Sequence, residues 1–134
     1  MQSNDDFGKL VLRATLAILI LFHGVSKLIG GVDPVMGMLA KAGLPSALAF
    51  LVYVGEVIAP LMILFGIWAR LGAVIVAINM IVAVALAHIP QFFTMSKTGG
   101  WALELQGFYF FTAVAVALLG AGRYSMGGVS GKWN

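Results

Sequence analysis

Residues 46–66 read SALAFLVYVGEVIAPLMILFG, and the reading of the whole chain turns on them. The run is long enough to cross a bilayer as a helix, for which about 20 apolar residues cover ~30 Å of hydrocarbon. Its one charged side chain, Glu56, stands roughly ten residues from either end, where reaching back to water is difficult. A carboxyl at that depth costs about 2.5 to 3.5 kcal/mol on insertion scales, so it faces other helices and is either paired or protonated. Tyr53 and Pro60 lie one turn to either side on much the same face. Pro60 has no N–H, which leaves the Glu56 carbonyl without its helical partner at an expected kink.

Working outward, three further apolar runs cover residues 10–29, 70–87 and 101–120. The expectation is an all-α chain, an integral membrane four-helix bundle forming one domain over 1–134. Composition supports lipid as the solvent. Hydrophobic residues make up 61% and charged residues 10%, against about 25% charged in an ordinary soluble domain, and the mean hydropathy is +1.03. Four spans put both termini on one side. The tail-side segments hold Lys9, Arg13, Arg70, Arg123 and Lys132, the opposite segments only Lys27, Lys41 and Lys97, which places both termini in the cytoplasm. The basic residues are scattered singly, so a net charge of +3 reads as membrane orientation and not as a nucleic-acid surface. Asp5 and Asp6 precede the first run in place of a positive n-region, and the first helix is expected to remain in the protein. The absence of cysteine excludes disulfides, thiolate nucleophiles and iron–sulfur ligation from this chain.

The connections are unequal. Residues 67–69 make a tight turn, whereas 30–45 and 88–100 are long enough to fold on the outer face. Asp33-Pro34 reads as a helix start, with Asp as cap, and a short interfacial helix would end near Gly43. Trp68, Trp101 and Tyr124 fall at span ends, where aromatic rings settle among headgroups. Small residues recur every fourth position at Gly55 and Ala59, at Ala69, Ala73 and Ala77, and at Ala113, Ala117 and Ala121, a pattern that lets helix backbones approach closely.

The remaining intramembrane polar groups are few. His23 and Lys27 are four apart, stacked on one face of the first span, with Gly24 between them. Lys27 alone is expected to snorkel to the outer headgroups. Arg13 shares that stripe at the other end and is expected to meet a phosphate or carboxylate. Glu104 falls one turn inside the fourth run, Gln106 on the opposite face, and Asn79 reads as an interhelical hydrogen-bond anchor. Pairing of Lys27 with Glu104, or of His23 with Glu56, is open on spacing. His23 and His88 differ in depth, which argues against shared haem ligation, and no metal-ligand spacing is present. The candidate site is therefore His23, Lys27, Tyr53, Glu56 and Glu104.

Arg13, the His23-Gly24-x-x-Lys27-Leu28 string, Glu56 with Pro60 and Gly66, Arg70, Glu104 and the closing Gly120-x-Gly122-Arg123-Tyr124-Ser125 resemble, in this order, the DoxX family. Relatives often end that last motif in Ser-Leu-Asp, where this chain has Ser125-Met126-Gly127. The resemblance implies a four-helix protein of the bacterial inner membrane, related to a subunit of thiosulfate:quinone oxidoreductase and to proteins of oxidative-stress and respiratory systems. The expected function is then an accessory subunit of a quinone-linked redox system, its interior groups holding the quinone head or relaying protons. Its partners would be the bilayer and a soluble or membrane redox protein that delivers electrons, with a homo-oligomer left open. A non-catalytic docking protein is the alternative. A solute or proton transporter is a weaker one, since four short spans leave little volume for alternating access.

Overall fold

The computed structural model describes residues 2–134, and its regular elements are helices. Helix α1 (Gln2–Gly30) is followed by the short α2 (Asp33–Lys41), then by the helical segments α3 (Ser46–Phe65), α4 (Ala69–Gln91) and α5 (Glu104–Leu119). Three are long and apolar enough to cross a membrane: Asn4–Gly30, Ser46–Phe65 and Ala69–Gln91. The protein is a multi-pass membrane protein. The fourth apolar helix, α5, has 16 residues, about 24 Å at 1.5 Å per residue.

Helix α1 packs on α3 and α5, and α4 packs on the same two. The small-residue stripes lie inside: Ala59, Ala69, Ala73, Ala113 and Ala121 are fully buried. Leu16, Ile20, Ile63, Val76 and Val116 fill the space between them. At Gly72 a Cβ would press on the Ala59 carbonyl, so close α3–α4 approach requires the missing side chain.

Helix α3 is irregular where the sequence predicts a kink. It runs as 3₁₀ over Ser46–Leu51, widens to a π turn over Val54–Ile58, and becomes regular α over Ala59–Phe65. Pro60 sits in the first turn of that last stretch, where a missing N–H is tolerated. The π turn absorbs the mismatch, as in the Ala59 N–H bond to the Val54 carbonyl. A second π turn, Val84–His88, interrupts α4.

The boundaries differ from the hydropathy reading in several places, and α4 runs on to Gln91, past the expected end at residue 87. Helix α1 starts well before residue 10 because its first turns are held outside the bundle: the Asp6 carboxylate accepts the Arg123 N–H at 3.2 Å and lies 4.0 Å from the Arg123 guanidinium. Arg123 also donates to the Tyr124 hydroxyl at 2.9 Å, a bond that raises its pKa above the ordinary arginine value. Helix α5 starts at Glu104 and not at Trp101, because Trp101 belongs to a folded turn in which its indole donates to the Phe92 carbonyl at 2.6 Å. In α2 the capping position is held by Val32 with no side-chain cap, so Asp33 acts in the first turn through its charge.

Arg13 is the main correction. It meets neither a phosphate nor a carboxylate but is buried among main-chain carbonyls. Its Nε donates to Ala121 at 3.0 Å, Nη1 to Ile63 and Leu64 at 2.8 and 2.7 Å, and Nη2 to Tyr124. These oxygens belong to the end of α3 and to the segment after α5, where helix termination leaves carbonyls without partners. That segment folds back further. Met126 and Gly127 donate to the Phe65 and Gly66 carbonyls, each at 3.0 Å, and Trp133 and Asn134 accept the N–H groups of Arg70 and Ala69 at 2.8 and 3.0 Å.

Replacing Arg13 by Ala should lower stability by about 3 to 5 kcal/mol, since several buried carbonyls lose a charged donor together. Arg13→Lys should recover only part of this, because a single ammonium lacks the planar fork. Denaturant unfolding in detergent micelles, followed by circular dichroism, measures both.

Candidate functional site

Glu56 is buried within the π turn of α3 and is paired. Lys27 Nζ lies 2.6 Å from its Oε1, forming an ion pair between α1 and α3. Asn79 of α4 donates to its Oε2 at 3.4 Å. Lys27 therefore does not snorkel to the headgroups as its isolated position predicts: a carboxylate at the same depth is the stronger attraction in a medium of low dielectric. Tyr53 approaches from behind, its hydroxyl donating to the Lys27 main-chain carbonyl at 3.1 Å.

Two glycines make this geometry reachable. A Cβ on Gly24 would collide with the Glu56 carbonyl, so the backbone of α1 lies directly on the turn that presents the carboxylate. A Cβ on Gly55 would collide with the Asn79 carboxamide, so the residue beside Glu56 must be bare for Asn79 to reach it.

The ion pair forms part of the wall of a cavity of about 860 Å³ between the halves of the helices that lie away from the chain termini. Its lining is mostly apolar. Ile20 of α1, Leu39 of α2, Ala49 and Val52 of α3, and Leu86 of α4 contribute, and polar groups enter from His23, Lys27, Glu56, Asn79, His88 and Gln106. His23 does not bond Glu56. It stands edge-on to Tyr109, with ring centroids 6.1 Å apart, and both line the cavity. His88 also lines it, its Nδ1 2.9 Å from the Gln91 Oε1.

Of the five residues singled out in the sequence, the structure brings Lys27 and Glu56 into contact, places Tyr53 against Lys27 and His23 on the cavity wall. Glu104 stands apart. It is the exposed first residue of α5, is absent from the cavity lining, and folds over Gly100, whose Cβ would meet its carboxyl. With the helix starting at Glu104, the side chain lies at the rim and not one turn inside. Gln106 and Tyr109, two and five positions on, face the cavity instead. Sequence reasoning passed over both, although an amide in an otherwise apolar run was a signal for Gln106.

Residues 8–89 match the family described as DoxX. The chain is similar to a protein of Bacillus subtilis (strain 168) named "Putative oxidoreductase CatD", with 26% identity over 121 residues, covering 90% of this chain and 85% of that protein. No solved structure matches.

A double-mutant cycle tests the pairing. Lys27→Met and Glu56→Gln should each cost about 2 kcal/mol, less than the 3 to 5 typical of breaking a fully buried pair because Lys27 keeps some exposure, and the double variant should cost less than their sum. Unfolding in detergent reads the coupling. Gly24→Ala should cost about 1 to 3 kcal/mol by driving α1 off the Glu56 turn, measured in the same assay.

Proposed function

This chain belongs to the DoxX family, and from that premise we propose that it is an accessory membrane subunit of a quinone-linked redox system. The supporting observation is the Lys27–Glu56–Asn79 cluster on the wall of an otherwise apolar cavity. The name carried by the Bacillus protein is compatible with redox work.

A quinone supplies two carbonyl oxygens and takes up two electrons and two protons on reduction. The chain's own residues suit the polar part of that task. Lys27 Nζ and the Asn79 amide are donors beside the carboxylate, and an ammonium next to a forming oxyanion stabilises charge where water is scarce. Glu56 accepts from Lys27; a carboxyl there that has itself taken up a proton along the cavity wall can return it to Lys27 after the amine has given one to the quinone. The imidazoles of His23 and His88, on the same wall, extend the proton route toward the outer face. Tyr53 holds Lys27 through its carbonyl, as a positioning residue. The apolar lining accommodates an isoprenoid tail. Without a redox centre of its own, the chain receives electrons from a protein docked at a membrane face.

In this reading residues 1–134 act as one unit, α5 is the fourth span, both termini are cytoplasmic, and the membrane is the bacterial inner membrane. Support comes from Lys9, Arg13, Arg70, Arg123 and Lys132 lying on the tail side and from the packing of α5 between α1 and α4.

Native mass spectrometry of the protein extracted with its own lipids should find bound quinone, reduced at least tenfold in Glu56→Gln of equal folding. Protein that carries no quinone, with a partner protein retained by native chain and variant alike, would replace this reading with a docking role.

A further inference from the structure

The cavity opens sideways. Among its lining residues, Leu51 is 61% exposed, Ile78 55%, Ile81 56% and Val82 47%, whereas Leu39 and Ala49 on its inner wall are almost completely covered. Ile78, Ile81 and Val82 are spaced three and four apart, forming one stripe on α4. That stripe belongs to the membrane-crossing segment Ala69–Gln91, and Leu51 to Ser46–Phe65, so what they face is hydrocarbon. An opening between these four aliphatic side chains at membrane depth offers nothing to a water-soluble solute arriving through it, and His23 is the polar group among the exposed lining residues. The polar groups are set differently: Lys27, Glu56 and Asn79 meet at one place on the wall.

Both α3 and α4 break regular geometry here. The π turns Val54–Ile58 and Val84–His88 each contribute lining residues, Glu56 from the first and Leu86 and His88 from the second. Such turns are short interruptions that recur at functional sites, because one extra residue per turn loosens local packing and redirects side chains.

We infer that the cavity is loaded laterally from the bilayer through the opening rimmed by Leu51, Ile78, Ile81 and Val82, and that its ligand is an amphiphile whose hydrocarbon tail lies across this rim with its polar head at Lys27, Glu56 and Asn79. The inference rests on the cavity being a ligand site, as in the proposed function, but it requires a tail and not a quinone. A membrane lipid and an isoprenoid quinone share that chemistry.

The test uses the full chain in nanodiscs of phosphatidylethanolamine and phosphatidylglycerol doped with a phospholipid bearing a diazirine at mid-chain. After irradiation, peptide mass spectrometry maps the adducts. Adducts are expected on Leu39 and Ala49, which an acyl chain reaches only from inside the cavity, falling at least fivefold in Ile78→Trp and in Val82→Trp. Leu118→Trp, on an exposed face away from the cavity, should leave them unchanged. Two rim variants, each checked for native melting, guard against misfolding of one. Adducts confined to outward side chains such as Phe111 and Leu118 in protein free of quinone would overturn the inference, as would interior adducts unaffected by both rim variants. Quinone retention is measured in the same samples. Interior adducts without quinone leave lateral loading standing and end the quinone reading; quinone retained by the native protein and lost in both rim variants supports lateral loading by quinone, and quinone retained unchanged in both rim variants overturns lateral loading.

Discussion

A helix that ends inside a bundle leaves carbonyl oxygens with no donor, and in hydrocarbon no water can serve them. Arg13 answers that constraint at the tail end of this protein. One guanidinium, itself buried, donates to carbonyls at the close of α3 and in the segment after α5, so three parts of the chain are tied together at helix ends. Its positive charge also sits at the negative end of α3, where helix dipole and cation attract. Arg70 does similar work on the next corner, donating to the Ala117 and Leu118 carbonyls at the close of α5. With these ends fixed, the opposite halves of the helices can part around a cavity without the bundle losing its register.

The cavity depends on a second electrostatic solution. Glu56 alone would be costly at mid-depth, and Lys27 alone would be drawn toward the surface; together they hold each other where neither would stay. The contact exists because Gly24 lets α1 lie on the Glu56 turn and Gly55 lets Asn79 reach past. The bare positions and the charged ones form one device.

Much of this was legible in the residues. Hydropathy located the three long spans, because lipid solvation acts on every side chain in a run. Four-residue spacing located the buried alanines, since it marks one face of a helix. Glu56 stood out because no other charged residue lies near it in the sequence. What stayed hidden depends on relations between helices. Whether Lys27 turns to lipid, to Glu104 or to Glu56 is decided by which helices are neighbours, and spacing along one helix does not encode that. Glu104 was misplaced by three residues because Trp101, apolar enough to extend a span, is spent on a turn with Phe92. Arg13 was assigned an anionic partner because carbonyls exposed at helix ends leave no mark in the side-chain pattern.

The tail's return to α4 orders events in time. The first N–H groups of α4 are met by Trp133 and Asn134, more than sixty residues downstream. While the chain is being synthesised, the α3–α4 hairpin enters the bilayer with that helix start unfinished, and it stays so until the downstream residues emerge. Arg13 waits in the same way for Ala121 and Tyr124. The contacts at the tail end thus form only after residues 121–134 have been made, and before that the first N–H groups of α4 and the Arg13 guanidinium lack these partners.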